Sequence, residues 1–205
     1  MPETARHPLH RAQPERRKDL TRHCVEVIEP LIAAGATYAD LSVEAIIRAG
    51  GISRGTFYAY FRDKGDLLQA MASDVGEEIA AAGTAWWEIG DGVTEDELRT
   101  RMRPSVDAYL RHKVLLRAVA EAAAYDANVR AAYGELMRDT IAKLTAHIAS
   151  RPARGLDAER TATWLVWMLE RGLYQAVSVS EDEVDAWLAS AARIVWSTLY
   201  SASVG

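Results

Sequence analysis

The chain has 205 residues, 49% of them hydrophobic and 26% charged, with a formal net charge of -5. That balance fits a globular protein with one large core or two modest ones and excludes a disordered or fibrous chain. The longest apolar runs, such as "TWLVWML", fall well short of the roughly 20 residues that cross a bilayer, and the N-terminus has no apolar signal stretch, which places the chain in the cytoplasm with no membrane partner.

The charge is unevenly spread. Residues 1–70 hold 10 Lys+Arg against 9 Asp+Glu, and residues 71–205 hold 14 against 20, so the acidic excess belongs to the second part. Residues 1–13, with Pro2 and Pro8, read as a flexible basic arm. The run Arg6, Arg11, Arg16, Arg17, Lys18 and Arg22 either neutralises phosphates or is simply solvated.

Helical periodicity then dominates, with no alternating Val/Ile/Thr run and no Asn-Gly hairpin, so the fold class is all-α with about nine helices. The first helix, about 14–34, carries Leu20, Cys24, Val27 or Ile28 and Leu31 at helical spacing and ends at Gly35, with a bend expected at Pro30. Cys24, the only cysteine, cannot form an intrachain disulfide and reads as a small apolar residue on that helix. Two short helices follow at about 43–49 and 54–61, capped by Ser42 and Ser53 and joined by "GGI". Asp63 caps a long fourth helix running to about residue 87, and "GDGVTEDE" breaks it. Thr94 and Glu97 form a capping-box pattern for a fifth helix, about 95–111 with a kink expected at Pro104. The sixth covers about 113–124, and Asp126 starts a seventh. Asp157 caps the eighth, and Ser180 with Glu183 starts the ninth.

"TATWLVWMLERGLYQAV" in the eighth helix is apolar on nearly all sides, and the ninth has a broad stripe from Val184 to Leu199. Such helices are buried on more than one face, either within one subunit or in a homodimer through helices eight and nine.

"GGISRGTFYAYF" asks for a different explanation. If Phe57 and Phe61, at i and i+4, point inward, then about 100 degrees per residue turns Gly55 and Ala59 directly outward, flanked by Thr56 and Tyr58, with Arg54 and Tyr60 at the margins. Ile46, Ile47 and Ile52 close the core behind. A thin midline with donors on both sides is what a helix in a DNA major groove needs. Lys64, a cation in the first turn of a helix, opposes the helix dipole unless a phosphate also sits there.

In their order, "LSVEAIIRAGGISRGTFYAYFRDKGDLL" resembles the signature of the TetR (tetracycline-repressor) family of regulators, G-[VI]-S-x-G-T-[FLIV]-Y-x-[HY]-F-x-x-K-x-x-L, over about 17–78. The resemblance implies a helix-turn-helix DNA-binding domain at 14–66, with the family motif reaching into the fourth helix, and a ligand-binding and dimerisation domain at 67–205. It assigns DNA contacts to Ser42, Ser53, Arg54, Gly55, Thr56, Tyr58, Tyr60 and Lys64, with Tyr38 a further phosphate candidate. Tyr60 stands where histidine is commoner.

"HKVLLRAVAEAA", "MLERGLYQAV" and "IVWSTLY" are similar to the mycobacterial ethionamide-activation repressor subgroup of that family. This implies an apolar pocket among helices four, five, seven and eight, lined by Leu98, Met102, Tyr109, Tyr133, Met137, Val166, Leu169, Glu170 and Tyr174. Val166 and Leu169 replace the subgroup's asparagine amides, so a more lipid-like or a differently oriented ligand is expected. From residues alone, the Met and aromatic stripe is core or pocket, and Glu170 pairs either with Arg171 or Arg117 or with a ligand. The expected function is a homodimeric, ligand-responsive repressor on a pseudo-palindromic double-stranded DNA operator, released by a small apolar or amphipathic effector. The alternatives are an activator of the same fold and, in a different class, a helical ligand-binding protein without DNA binding.

The rival class is an enzyme. His7, His10, His23, His112 and His147 are scattered, and no HExxH, GxSxG or glycine-rich phosphate loop occurs, so no catalytic residue, metal or cofactor is expected.

Overall fold

The computed structural model describes residues 13–87, 89–90, 92–151, 155–176 and 180–201. These form nine helices and no strand: α1 Gln13–Ala33, α2 Val43–Gly50, α3 Arg54–Tyr60, α4 Lys64–Trp87, α5 Glu95–Arg111, α6 Lys113–Ala122, α7 Ala127–Ala149, α8 Ala158–Ala176 and α9 Glu181–Leu199. The arm before residue 13 and the His7/His10 pair lie outside the described residues.

Local chemistry accounts for the helix ends. Ser42 Oγ accepts the Ala45 N–H, and Asp63 Oδ1 accepts the Asp66 N–H at 2.8 Å. Thr94 and Glu97 form the full capping box, and Asp126, Asp157 and Ser180 each accept a first-turn N–H of α7, α8 and α9. Gly51, at φ +61, supplies the left-handed exit from α2 that a side chain disfavours, and so turns the chain into α3. Pro30 lies in the last turn of α1, so its missing N–H removes one bond near an end that would fray anyway.

Two apolar clusters share α4. The first gathers Cys24, Ile28, Ile46, Phe57, Phe61, Leu67 and Met71, and extends to Val75 of α4, Leu115 and Val119 of α6 and Val129 of α7. The second gathers Leu98, Met102, Leu144, Leu165, Leu173, Leu188 and Val195 of α5 and α7–α9. Ile79 and Leu116 touch both. Helix spacing in the second half depends on glycine: a Cβ on Gly76 would stand 2.6 Å from Leu136 Cδ2, and one on Gly172 2.3 Å from Trp187 Nε1. Cys24 is fully buried and burial pushes its thiol up to about 11, so it behaves as a small apolar residue.

Polar ties dock α1 along α4. Arg17 donates from Nη2 to Asp66 Oδ1 (3.1 Å), Lys18 pairs with Glu77 (2.6 Å) and Asp74 (3.7 Å), and Arg22 approaches Asp74 at 3.9 Å. Much of the basic run at the start of α1 is thus engaged by acids of α4 rather than held out to solvent. Farther along, His112 stands between two helices, with Nδ1 3.0 Å from Glu29 Oε1 of α1 and Nε2 3.2 Å from Glu78 Oε2 of α4, while Arg111 donates to Glu78 Oε1 at 2.6 Å.

Candidate nucleic-acid interface and internal cavity

The seven residues of α3 are held from behind. Phe57 and Phe61 are 0% and 1% exposed, with ring centroids 5.6 Å apart, and Arg17 lies over the Phe61 ring while its Nε donates to the Tyr60 carbonyl at 3.2 Å. The last turn of α3 is therefore pinned to α1, and through Asp66 to α4, which fixes its direction. At the front, Ser53 Oγ accepts the Thr56 N–H (2.9 Å) and sits 2.8 Å from Thr56 Oγ1.

The outward surface matches the arrangement expected from 100-degree spacing. Arg54, Gly55, Tyr58 and Ala59 are exposed, and Thr56 and Tyr60 are half-buried. A Cβ on Gly55 would meet only Ser53 Oγ, at 3.7 Å, so nothing inside the chain requires glycine there. Ser42 and Ser53 are exposed at the starts of α2 and α3, and Arg54 joins these helices through Glu44 (2.8 Å) while lying over the Tyr58 ring. Ser42, Ser53, Arg54, Gly55, Thr56 and Tyr58 are thereby brought to one exposed region.

Two expected phosphate contacts are placed differently. Tyr38 is 5% exposed and its hydroxyl donates to the Lys64 carbonyl at 2.5 Å; burial raises its pKa, so the hydroxyl remains a donor. Tyr38 belongs to the core, because the turn at 38–40 folds its ring under α4. Lys64 returns the contact: its ammonium donates to the carbonyls of Ala39 and Leu41 (the latter at 3.2 Å), with the Tyr38 carbonyl at 3.5 Å. These carbonyls offset the unfavourable dipole at the start of α4 from within the chain. Sequence reasoning did not find this reciprocal clasp or the Arg17 staple, because both join residues at least 23 apart and leave no local pattern.

The second half encloses a cavity of about 180 Å³. Seven of the nine expected lining residues face it: Met102, Tyr109, Tyr133, Met137, Val166, Leu169 and Glu170. Leu98 and Tyr174 do not. Leu98 is fully buried in the second apolar cluster, and Tyr174 carries the Arg171 guanidinium 4.9 Å from its ring centroid. The wall also includes α6, through Leu116 and Ala120, and Trp187 of α9, beyond the four helices expected. Along α4 the lining is Gly76, Ile79, Ala80, Gly83 and Trp86; the small residues Gly76, Ala80 and Gly83 at helical spacing were the readable signal for the α4 wall.

The cavity is mostly apolar, and Tyr109 and Tyr133 on its wall both feel the Glu170 carboxylate. The Glu170 side chain is 12% exposed, and Arg171 Nε stands 3.7 Å from its Oε2, too far for a hydrogen bond. Burial and then the Glu170 carboxylate raise the pKa of both Tyr109 and Tyr133, so both stay protonated; the Tyr133 hydroxyl is near enough to be drawn toward that carboxylate, but no hydrogen bond of ordinary geometry joins them.

Comparison with known proteins agrees with both halves. Residues 34–71 match the family model described as "Bacterial regulatory proteins, tetR family", and residues 98–201 match "Transcriptional regulator EthR, C-terminal domain". The HTH-type transcriptional regulator EthR of Mycobacterium tuberculosis is 31% identical over 152 residues, which cover 71% of this chain and 70% of that protein; EthR of Mycobacterium bovis matches equally. Among solved structures, a TetR-family regulator from Syntrophomonas wolfei superposes with a TM-score of 0.69 at 17% identity, covering 95% of this chain and 100% of its own. Another, from Rhodococcus sp., gives 0.68 at 18%, covering 88% and 98%. At those identities the structures support the fold alone.

Proposed function

The chain belongs to the TetR family of bacterial regulatory proteins and is a DNA-binding transcriptional regulator, and from that premise we propose that it is a homodimeric repressor released from its operator by a ligand in the internal cavity. The observation that carries this reading is the course of α4. Its first turn holds the clasp with the 38–41 turn and, at Asp66, the Arg17 side chain that also binds the end of α3, and its second half, from Gly76 to Trp86, forms a wall of the cavity. A ligand that pushes on that wall acts on the helix that orients the reading surface.

A ligand in the cavity changes DNA affinity by no more than its differential affinity for the two arrangements of the heads. In this reading the DNA-binding domain is 14–66 with the start of α4, and the remainder binds ligand and dimerises. Ser42, Ser53, Arg54, Gly55, Thr56, Tyr58, Tyr60 and Lys64 approach the DNA; Lys64 does so only by exchanging a carbonyl for a phosphate.

The dimer forms through α8 and α9. Trp164 is 77% exposed and Trp167 38% on α8, and Ile194 is 45% exposed on α9. Covering Trp164 alone removes on the order of 150 Å² from water, about 4 kcal/mol per subunit before the cost of association. The reading includes no catalytic role, metal or cofactor, and places the chain in the cytoplasm with its DNA.

Titration of fragments of the chain's own upstream DNA across salt concentrations tests this reading. Log affinity is expected to fall linearly with log salt, Tyr58→Phe to weaken all sequences alike, and Thr56→Ala to alter sequence preference as well. Affinity independent of salt, or no binding at low salt, contradicts it.

A further inference from the structure

Four buried side-chain polar atoms have no hydrogen-bond partner among the described residues: Ser105 Oγ, Tyr133 OH, Thr145 Oγ1 and Glu170 Oε2. Three of the four, Ser105 on α5, Tyr133 on α7 and Glu170 on α8, line the one cavity of about 180 Å³. Unpaired polar atoms are rare in protein interiors, because each carries a desolvation penalty that nothing offsets. Tyr133 OH lies near the Glu170 carboxylate without closing a hydrogen bond of ordinary geometry, so these two groups and Ser105 Oγ, on three separate helices lining one space, can all turn to a third polar group. The rest of the lining is nearly all apolar, including Ile79, Met102, Val106, Leu116, Met137 and Leu173, and suits a hydrocarbon portion.

The chemistry of the three atoms selects the head group. A carboxylate oxygen only accepts, so Glu170 Oε2 calls for a donor. Its nearest cation, Arg171, lies 3.7 Å away with a side chain 55% exposed, and its guanidinium is stacked on Tyr174 rather than hydrogen-bonded to the carboxylate. The ion pair with Arg171 reaches Oε2 only at 3.7 Å, so this oxygen has no hydrogen bond in an apolar setting, where an ionised group is most in need of one. Tyr109 and Tyr133 line the same space, and aromatic rings beside a carboxylate further favour a cation over an anion.

Accepting the cavity as the effector site, we propose that the effector is an amphiphile with a protonated amine head, seated against Glu170 with Tyr133 and Ser105, and an apolar tail lying along α4, α5 and α7. An ammonium donates to Glu170 and to the two hydroxyl oxygens at once. A neutral alcohol can donate only one hydrogen bond, and a fatty acid places like charges together.

Octylamine, 1-octanol and octanoate, titrated calorimetrically into the full chain and into Glu170→Gln near neutral pH, test this. In the wild type octylamine is expected to bind about 10-fold or more tightly than 1-octanol, the scale of one charge-assisted hydrogen bond, with octanoate weakest. Glu170→Gln brings octylamine to the level of 1-octanol and leaves 1-octanol within about threefold of its wild-type value, and Tyr133→Phe gives a smaller loss for the amine. Equal or tighter binding of 1-octanol or octanoate in the wild type overturns the proposal, as does an unchanged amine affinity in a folded Glu170→Gln. The wild-type ranking of the three ligands decides the matter even if that variant does not fold. Should 1-octanol bind and release DNA with no preference for the amine, the head-group assignment alone fails. If none of the three binds and none releases DNA, the reading of the cavity as the effector site fails with it.

Discussion

Phe57, behind the exposed face of α3, and Tyr133, on the wall of the cavity, have surroundings that differ in kind. Phe57 is fully buried in the cluster that also holds Phe61, Ile46 and Met71. Tyr133 lines a hollow, with its hydroxyl unpaired and Trp167 edge-on at 6.3 Å. The first half is packed behind its exposed surface, and the second half is packed around a cavity, which on the proposed reading admits the effector. α4 belongs to both, packed in the first cluster at its start and lining the cavity in its second half.

Paired core truncations give the sharpest contrast between the halves. Phe57→Ala is expected to lower unfolding free energy in denaturant by about 3–5 kcal/mol, whereas Leu169→Ala, which enlarges an existing space, costs less than about 2. Equal losses would break the comparison. Trp164→Arg, which puts a charge on the exposed apolar face of α8, is expected to shift the dimer to monomer in sedimentation with a melting temperature little changed at low concentration. A dimer that persists would move the interface elsewhere.

Tyr38→Phe removes the hydroxyl bound to the Lys64 carbonyl and is expected to cost about 1–2 kcal/mol of stability, with DNA affinity following stability rather than falling first. Arg17→Ala frees the end of α3. Because Arg17 is 41% exposed, the loss is about 1 kcal/mol, seen as a roughly fivefold drop in DNA affinity with ligand binding unchanged.

The smallest expected effect is with pH. Arg111 and His112 hold the Glu78 carboxyl below its ordinary value of 4.5. A group with a depressed folded pKa adds stability above the unfolded value and loses it as pH falls through the folded one. The stability difference between the wild type and Glu78→Gln is therefore expected to be largest above pH of about 4.5 and to shrink below it. Glu29 has the opposite sign, since burial raises its carboxyl, so Glu29→Gln should not reproduce this profile.

Sequence legibility differed between the halves for the same physical reason. In α2 and α3 the constraints are local: Phe57 and Phe61 share a face, Ser42 and Ser53 cap the helices, and Gly55 needs no partner inside the chain, so spacing alone placed the outer surface. Tyr38 and Lys64 escaped because their partners lie 26 residues away, and a tyrosine or lysine in a turn reads the same whether it meets solvent or a distant carbonyl. In the second half, aromatic and methionine spacing marked seven wall residues but could not separate Leu98, packed in the core, from Met102, one turn on and facing the hollow. Nor could it show that the Glu170 carboxylate lies beyond hydrogen-bond reach of Arg171, a matter of a few tenths of an ångström.

The central claim is that filling the cavity moves the two reading heads through α4. Cys24 is fully buried with its thiol raised to about 11, so a spin label attached through Ala59→Cys, on the exposed face of α3, can be placed without removing it. The distance between the two labels in the dimer, measured by pulsed electron resonance with and without saturating octylamine, is predicted to shift on saturation and to return when operator DNA is added in the absence of ligand. An unchanged distance with the cavity shown by calorimetry to be full would contradict the coupling.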